Sequence, residues 1–154
     1  NCHLRGPMDI VCMVADRYPE SRVFSGKTLT LGGSHRLENT GGTAQEGDLS
    51  AILIENTPRF GLRMRVPKPE TALIADFERK VEAICRETVS QNVTSFAGVP
   101  SWNLVMLKKI LEYTGKNNIL EVWPNMELFA HGGMNFKPYR EQYRQIIPSV
   151  GNGL

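Results

Sequence analysis

Cysteine is scarce in this sequence, and the cysteines present are widely separated. Cys2, Cys12 and Cys85 are the three cysteines of the 154-residue chain, and no two of them form a CxxC pair. This pattern argues against a disulfide-stabilised secreted domain and against a zinc site built on paired cysteines. We therefore expect a cytoplasmic protein in which Cys12 and Cys85 are small apolar residues of helical segments.

Long hydrophobic runs and a strong excess of one charge are also missing. No apolar run approaches the roughly 20 residues that a membrane-spanning helix needs. The net charge is +2 and the pI is about 8.5, which predicts neither a nucleic-acid surface nor a membrane surface as partner. The basic stretch that contains Arg59, Arg63, Arg65 and Lys68 is predicted to face solvent.

Several familiar catalytic motifs do not occur. Neither GxxxxGK[ST] nor GxGxxG is present, which excludes the common phosphate loops. The stretch GVPSW lacks the GxSxG spacing of a nucleophile elbow, so Ser101 is interpreted as a polar residue at a helix start. His3, His35 and His131 are too far apart to predict a metal site, and no pair of carboxylates is placed for acid–base catalysis.

Apolar periodicity instead predicts alternating helices and strands. In chain order the predicted elements are a helix over residues 2–18 that is interrupted near Gly6 and Pro7, a strand over 28–31, a helix over 48–56, a helix over 69–91, a strand over 92–99, a helix over 100–114, a core strand over 126–131 and a helix over 136–148. This order predicts one layered α/β domain with a largely parallel or mixed sheet flanked by helices.

Glycine follows an apolar run at three places, residues 31–35, 96–102 and 130–136. In α/β sheets, ligands gather where strands end and loops begin. A glycine there either permits a tight turn or lets backbone approach a ligand, and the pattern leaves both interpretations open. Arg5 adds a planar guanidinium that suits a carboxylate ligand, although a solvated arginine is the simpler interpretation.

Two long stretches of the sequence resemble one enzyme family. They are SFAGVPSWNLVMLKKILEYTGKNNILEVWPNMELFAHGGMNFKPYREQYRQIIPS and SGKTLTLGGSHRLE…GDLSAILIEN, in which the blocks GVPSWN, EVWPN and HGG are the most specific. On these residues the chain resembles bacterial members of the auxin-responsive Gretchen Hagen family. These are acyl-acid amido synthetases of the adenylate-forming superfamily.

The resemblance implies a two-step reaction. A carboxylic acid reacts with ATP to give an acyl-adenylate and pyrophosphate, and the acyl group then passes to the amine of an amino acid. Magnesium would balance phosphate charge in the first step. ATP and Mg²⁺ are therefore expected in the full-length parent, with a small carboxylic acid and an amino acid as partners, and neither cofactor is expected to bind this chain tightly.

The resemblance also implies that the chain is an interior fragment of the large N-terminal domain. Residues 1–149 would form a partial adenylation domain and residues 150–154 a frayed end. The family's SSGTT-like phosphate loop would lie upstream and its YxxSE-like motif downstream. We therefore expect the chain to be inactive alone and to self-associate through exposed sheet edges.

The family's binding residues are carried over to matching positions in this sequence. Arg5 would hold the carboxylate of the acyl acid; Ser50, Val99, Pro100 and Trp102 would line the acyl pocket; and His131, Gly132, Gly133 and Met134 would contact the adenylate and acyl group. No residue is assigned a catalytic or metal-binding role. A non-catalytic domain that binds carboxylates or another protein on the same scaffold is the alternative.

Overall fold

The structure is a computed structural model that describes residues 2–31 and 59–148. The helix predicted over residues 48–56 lies outside this range. Within it, no helix is long and apolar enough to cross a membrane.

A four-stranded sheet forms the centre of the described chain. Its strands are β1 (Lys27–Thr30), β2 (Arg65–Val66), β3 (Val93–Gly98) and β4 (Leu128–His131). They lie in the order β2-β1-β3-β4, and every neighbouring pair is parallel. The predicted α/β class with a parallel sheet is thus confirmed.

Seven α-helices and two short 3₁₀ turns flank these strands in the described residues. The helices are α1 (Cys2–Arg17), α2 (Arg59–Arg63), α3 (Pro69–Ala72), α4 (Phe77–Thr88), α5 (Pro100–Thr114), α6 (Ile119–Val122) and α7 (Arg140–Ile146), and the 3₁₀ turns are Val23–Ser25 and Lys137–Tyr139.

The core lies between β3 and the apolar faces of α4 and α5. The first four residues of β3 are all buried, as expected for a central parallel strand that is covered on both faces. Leu107 and Ile110 of α5 are fully buried and belong to the same hydrophobic cluster as the residues of β3. Burial of one such side chain contributes about 1.5–3 kcal/mol, so this packing fixes the position of α5 on the sheet.

The single helix predicted over residues 69–91 is wrong, because the chain forms two helices there. α3 ends at Ala72 and α4 begins at Phe77. Asp76 causes the restart, since its Oδ1 accepts a hydrogen bond from the Arg79 N–H at 2.8 Å and so caps α4. Phe77, the first residue of α4, is 45% exposed.

The predicted interruption of the first helix is also wrong. α1 runs without a break from Cys2 to Arg17 and includes Gly6 and Pro7. Pro7 lies near the amino end, where a helix already lacks partners for its first four N–H groups, so the lost donor costs little continuity. Cys12 on this helix is exposed, contrary to its predicted apolar environment, whereas Cys85 is buried as predicted.

Two further expectations are corrected by the position of the edge strands. Arg65 was predicted to face solvent, but its strand pairs with β1, and partial burial lowers the pKa of its guanidinium. β4 was predicted to be a core strand, but it is the outermost strand of the described sheet and is only half-buried. The chain reaches β4 through the buried Trp123, whose Nε1 donates to the Thr88 carbonyl at 3.2 Å.

Candidate ligand site at the carboxyl edge of the sheet

Two of the three predicted ligand stretches, residues 96–102 and 130–136, meet because the strands are parallel. Of the stretch 31–35, residues 32–35 lie outside the described residues. In the register, Thr30 lies beside Ala97 and Gly98 lies beside His131. The chain therefore leaves β1, β3 and β4 at one edge of the sheet, which we call the carboxyl edge. Ligands of open α/β sheets bind at this edge.

The end of β3 turns directly into a long helix. Val99 is extended (φ −73°, ψ 129°), and Pro100 occupies the first turn of α5, where its fixed φ suits a helix start. The Val99 carbonyl accepts the Asn103 N–H at 3.1 Å. Val99, at the cap position, has no side chain that could bond the free N–H groups, so the amino end of α5 presents a partial positive charge at the carboxyl edge. Ser101 lies in this first turn, as predicted.

The end of β4 is an exposed glycine turn. Gly133 has φ +80°, a left-handed conformation that disfavours any residue with a side chain. A β-carbon built on Gly132 would meet no heavy atom of the described residues within 4 Å, so space is open above this backbone. His131 and Met134, on either side of the two glycines, are both exposed.

The turns after β3 and β4 touch each other. A β-carbon on Gly133 would lie 3.4 Å from Cγ2 of Val99. The predicted acyl-pocket residue Val99 and the predicted adenylate-contacting glycine are thus direct neighbours. Open space over Gly132 and this contact together form one wall of a candidate ligand site.

A cluster of aromatic rings packs next to this wall. His131 stacks on Phe136 with ring centroids 4.7 Å apart, and Phe136 contacts Tyr143 at 5.2 Å. The Tyr143 hydroxyl donates a hydrogen bond to the Pro100 carbonyl at 2.8 Å. Burial raises the pKa of Tyr143, so this hydroxyl stays protonated at neutral pH. The aromatic cluster therefore joins the β4 turn to the first turn of α5.

Asn103 is a site residue that sequence reasoning missed. It is fully buried, and its Nδ2 donates to the Val99 carbonyl at 3.3 Å. Its Oδ1 has no hydrogen-bond partner among the described residues, and a buried unpaired acceptor costs about 1–3 kcal/mol. The available signal was a polar residue on the apolar side of a helix, inside the GVPSWN block.

Trp102 follows Val99 and Pro100 in the first turn of α5. Its side chain is 58% exposed, and its ring lies 5.9 Å from the ring of Phe77, itself half exposed. An exposed aromatic pair in the first turns of α4 and α5 provides an apolar surface for the hydrocarbon part of a ligand.

The structure brings together most of the predicted site residues. Seven of them lie at the ends of β3 and β4, namely Val99, Pro100, Trp102, His131, Gly132, Gly133 and Met134. Arg5 lies in α1, and its role stays a prediction. Ser50 lies outside the described residues.

The candidate site suits the adenylate part of ATP. Open backbone at Gly132 suits an adenylate or acyl group that lies flat against the chain. By contrast, residues 2–31 and 59–148 contain no group of three His, Cys, Asp or Glu side chains that could hold a metal ion.

These features define a class of protein, a parallel α/β domain with a candidate ligand site at the carboxyl edge of its sheet. The family model for the GH3 family N-terminal domain matches residues 21–151. The chain therefore belongs to the GH3 family of acyl-acid amido synthetases, the family that the sequence resemblance indicated. Comparisons with curated proteins and with solved structures found no significant match.

Proposed function

We propose that this chain supplies the acyl-acid wall of an ATP-dependent acyl-acid amido synthetase. The single observation that carries the proposal is the open backbone of Gly132 beside the Val99 turn, in a chain of the GH3 family. A flat acyl-adenylate needs such a surface, because side chains would hold it away from the backbone.

The proposed chemistry has two balanced steps. A carboxylate oxygen of the acid attacks the α-phosphorus of ATP, and pyrophosphate leaves. The amine of an amino acid then attacks the acyl carbon, AMP leaves, and the amine loses a proton. Activation is effective because AMP is a far better leaving group than the oxygen of a free carboxylate.

In this proposal different residues bind different parts of the substrates. Val99, Pro100 and Trp102 contact the hydrocarbon part of the acid, and Ser50 lines the same pocket. The backbone at Gly132 and Gly133 lies against the adenylate, with His131 and Met134 at its sides. Arg5 pairs with the carboxylate, since guanidinium and carboxylate form strong charge-assisted hydrogen bonds.

ATP and Mg²⁺ belong to the full-length synthetase, by which we mean a protein that carries this chain together with the phosphate loop and C-terminal domain of its family. The resemblance to bacterial members and the cysteine pattern support a bacterial, cytoplasmic enzyme. Because this sequence contains no SSGTT, the type of phosphate loop that the resemblance implies, we propose that the chain alone does not turn over.

Gly132→Ala tests the proposal in the full-length synthetase. The added methyl meets no described atom in the free protein, so folding stability should change by no more than about 0.5 kcal/mol. It would occupy the proposed ligand space, so acid- and ATP-dependent pyrophosphate release should fall about tenfold or more, a loss of about 1.4 kcal/mol. Lys116→Ala, at an exposed position after α5, is the control.

Two outcomes would contradict the proposal. Pyrophosphate release unchanged by Gly132→Ala would mean that no substrate lies against this turn. Sustained pyrophosphate release by the 154-residue chain alone would reject the claim that it is one wall of a larger site.

A further inference from the structure

A buried carboxamide lies against the end of β3. Asn103 has no exposed surface, and its Nδ2 donates to the Val99 carbonyl at 3.3 Å. The same Nδ2 lies 3.0 Å from the point where a β-carbon on Gly98 would stand. Gly98 has φ +138°, so a side chain there would be strained as well as crowded.

Folding alone gives little reason for this side chain. Asparagine is a weaker helix former than apolar residues such as leucine or methionine, and Asn103 lies in the fourth position of α5. Its Oδ1 has no partner within the described residues, so an apolar residue would avoid that unmet acceptor. What the amide supplies is a second hydrogen bond to the Val99 carbonyl, which also accepts the Asn103 N–H.

We propose that Asn103 is a positioning residue for the acyl-acid site, an inference that rests on the proposed function above. The hydrogen bond from Nδ2 holds the Val99 turn, and the Val99 side chain in turn lies 3.4 Å from the β-carbon position of Gly133. Asn103 thereby sets the separation between the turn after β3 and the turn after β4. That separation is the width of the wall against which the acid lies.

Gly98 takes part in the same positioning, because its lack of a side chain leaves room for the Asn103 amide. A methyl group at Gly98 would press on the Asn103 amide and displace it from the Val99 carbonyl. Gly98→Ala should therefore produce the same kinetic defect as loss of the amide. Combining both changes should give less than the sum of the two effects, because neighbours that act through one contact are not additive.

The chain itself indicates a matched pair of test variants. Threonines at two other helical positions donate to the carbonyl four residues earlier, Thr88 to Ile84 at 2.8 Å and Thr114 to Ile110 at 2.7 Å. The Val99 carbonyl stands in that same relation to position 103. Asn103→Thr should keep a hydrogen bond to the Val99 carbonyl through its hydroxyl. Asn103→Val introduces a side chain of the same shape as threonine but without a donor, so it cannot make this bond.

The first experiment uses the isolated chain and needs no activity. Backbone amide resonances of Gly132 and Gly133 are compared by NMR in wild type, Asn103→Thr, Asn103→Val and the exposed control Asn117→Ala. We expect Asn103→Val alone to shift the glycine resonances. Unshifted resonances in a folded Asn103→Val, or equal shifts in both variants, would overturn the proposal. If Asn103→Val fails to fold, Asn103→Ala replaces it in the same comparison.

The second experiment measures kinetics in the full-length synthetase. Asn103→Val should raise KM for the acid by about three- to tenfold, while kcat and KM for ATP stay near wild type. Asn103→Thr should restore KM for the acid. An equal loss of kcat in both variants would overturn the positioning role. If the wild-type synthetase itself lacks activity, the proposed function fails, and the NMR comparison still decides whether Asn103 positions the β4 turn.

Discussion

Tyr143 shows how one residue meets two opposed requirements at this site. Its ring is buried among aromatic neighbours, stacked on Phe129 with centroids 5.1 Å apart. Its hydroxyl needs a partner once removed from water, and the Pro100 carbonyl provides one at 2.8 Å. The same side chain thus fills the core and fixes the first turn of α5.

Tyr143→Phe should remove that hydrogen bond and leave the stacking unchanged. We expect the free energy of unfolding at pH 7 to fall by about 1 kcal/mol, measured by urea denaturation. Tyr113→Phe, at a side chain that is 53% exposed, should have almost no effect and serves as control. Equal losses in the two variants would contradict the stabilising role of the Pro100 contact.

Tyr143→Phe should also change how the stability of the protein depends on alkaline pH. Burial raises the pKa of Tyr143 above its ordinary value of 10.0. The unfolded chain therefore loses this proton near pH 10 while the native chain keeps it, so wild-type stability should decline as the pH rises above 10. Tyr143→Phe should decline less steeply. Cys85, whose thiol pKa is also raised by burial, titrates in both proteins and cancels in the comparison.

Arg5 carries the remaining prediction at the residue scale. In the full-length synthetase, Arg5→Ala should weaken acid-dependent adenylation, because the carboxylate loses a charged partner worth about 1.5–3 kcal/mol. The fall in kcat/KM for the acid measures this loss. Arg17→Ala, at an exposed position on the same helix, is the matched control. Kinetics unchanged by Arg5→Ala would reject the assigned role.

At the scale of elements, local signals were predictable and long-range placement was not. α5 was predicted correctly at both ends, because Pro100 favours a helix start and Gly115 adopts the left-handed cap conformation with φ 66°. The break at Asp76 was missed, since an apolar period of suitable spacing continues across it. In the sequence, a capping aspartate between two helices cannot be distinguished from a polar residue on the exposed face of one helix.

The candidate site divides in the same way. The glycines after β3 and β4 were visible in the sequence as the ends of apolar runs. That Gly98 lies beside His131 depends on strand register, which pairs residues far apart in the chain and has no local signature. Asn103 was missed for a related reason, because its importance comes from its contacts with Gly98 and Val99 rather than from its own position on a helix.

The helix restart at Asp76 leads to a prediction about stability. Asp76→Ala removes the cap of α4 and should lower the free energy of unfolding by about 1 kcal/mol. Lys68 occupies the corresponding position before α3 but makes no side-chain capping bond, so Lys68→Ala should change stability by no more than about 0.5 kcal/mol. Thermal or urea denaturation of both variants measures the difference. Equal effects would mean that the Asp76 cap does not stabilise the restart.

At the scale of the whole molecule, the described sheet has two unequal edges. β2, on one side, has two residues, whereas β4, on the other, has four, of which three are half-buried, and it ends at the candidate site. A short edge strand offers little template for another chain, but a longer apolar one can pair with a second copy. The carboxyl edge and the β4 edge meet at His131, so association there would also involve the ligand-facing turn.

We therefore expect the 154-residue chain to form dimers or larger species through β4. Leu128→Lys places a charge on this half-buried edge strand, and lysine on an edge opposes pairing with another chain. Light scattering over a range of concentrations should show a larger mass for wild type than for Leu128→Lys, with Lys68→Ala, on the β2 side of the sheet, as a control. A monodisperse wild-type monomer would contradict self-association, and a wild-type dimer that Leu128→Lys leaves intact would place the contact elsewhere than β4.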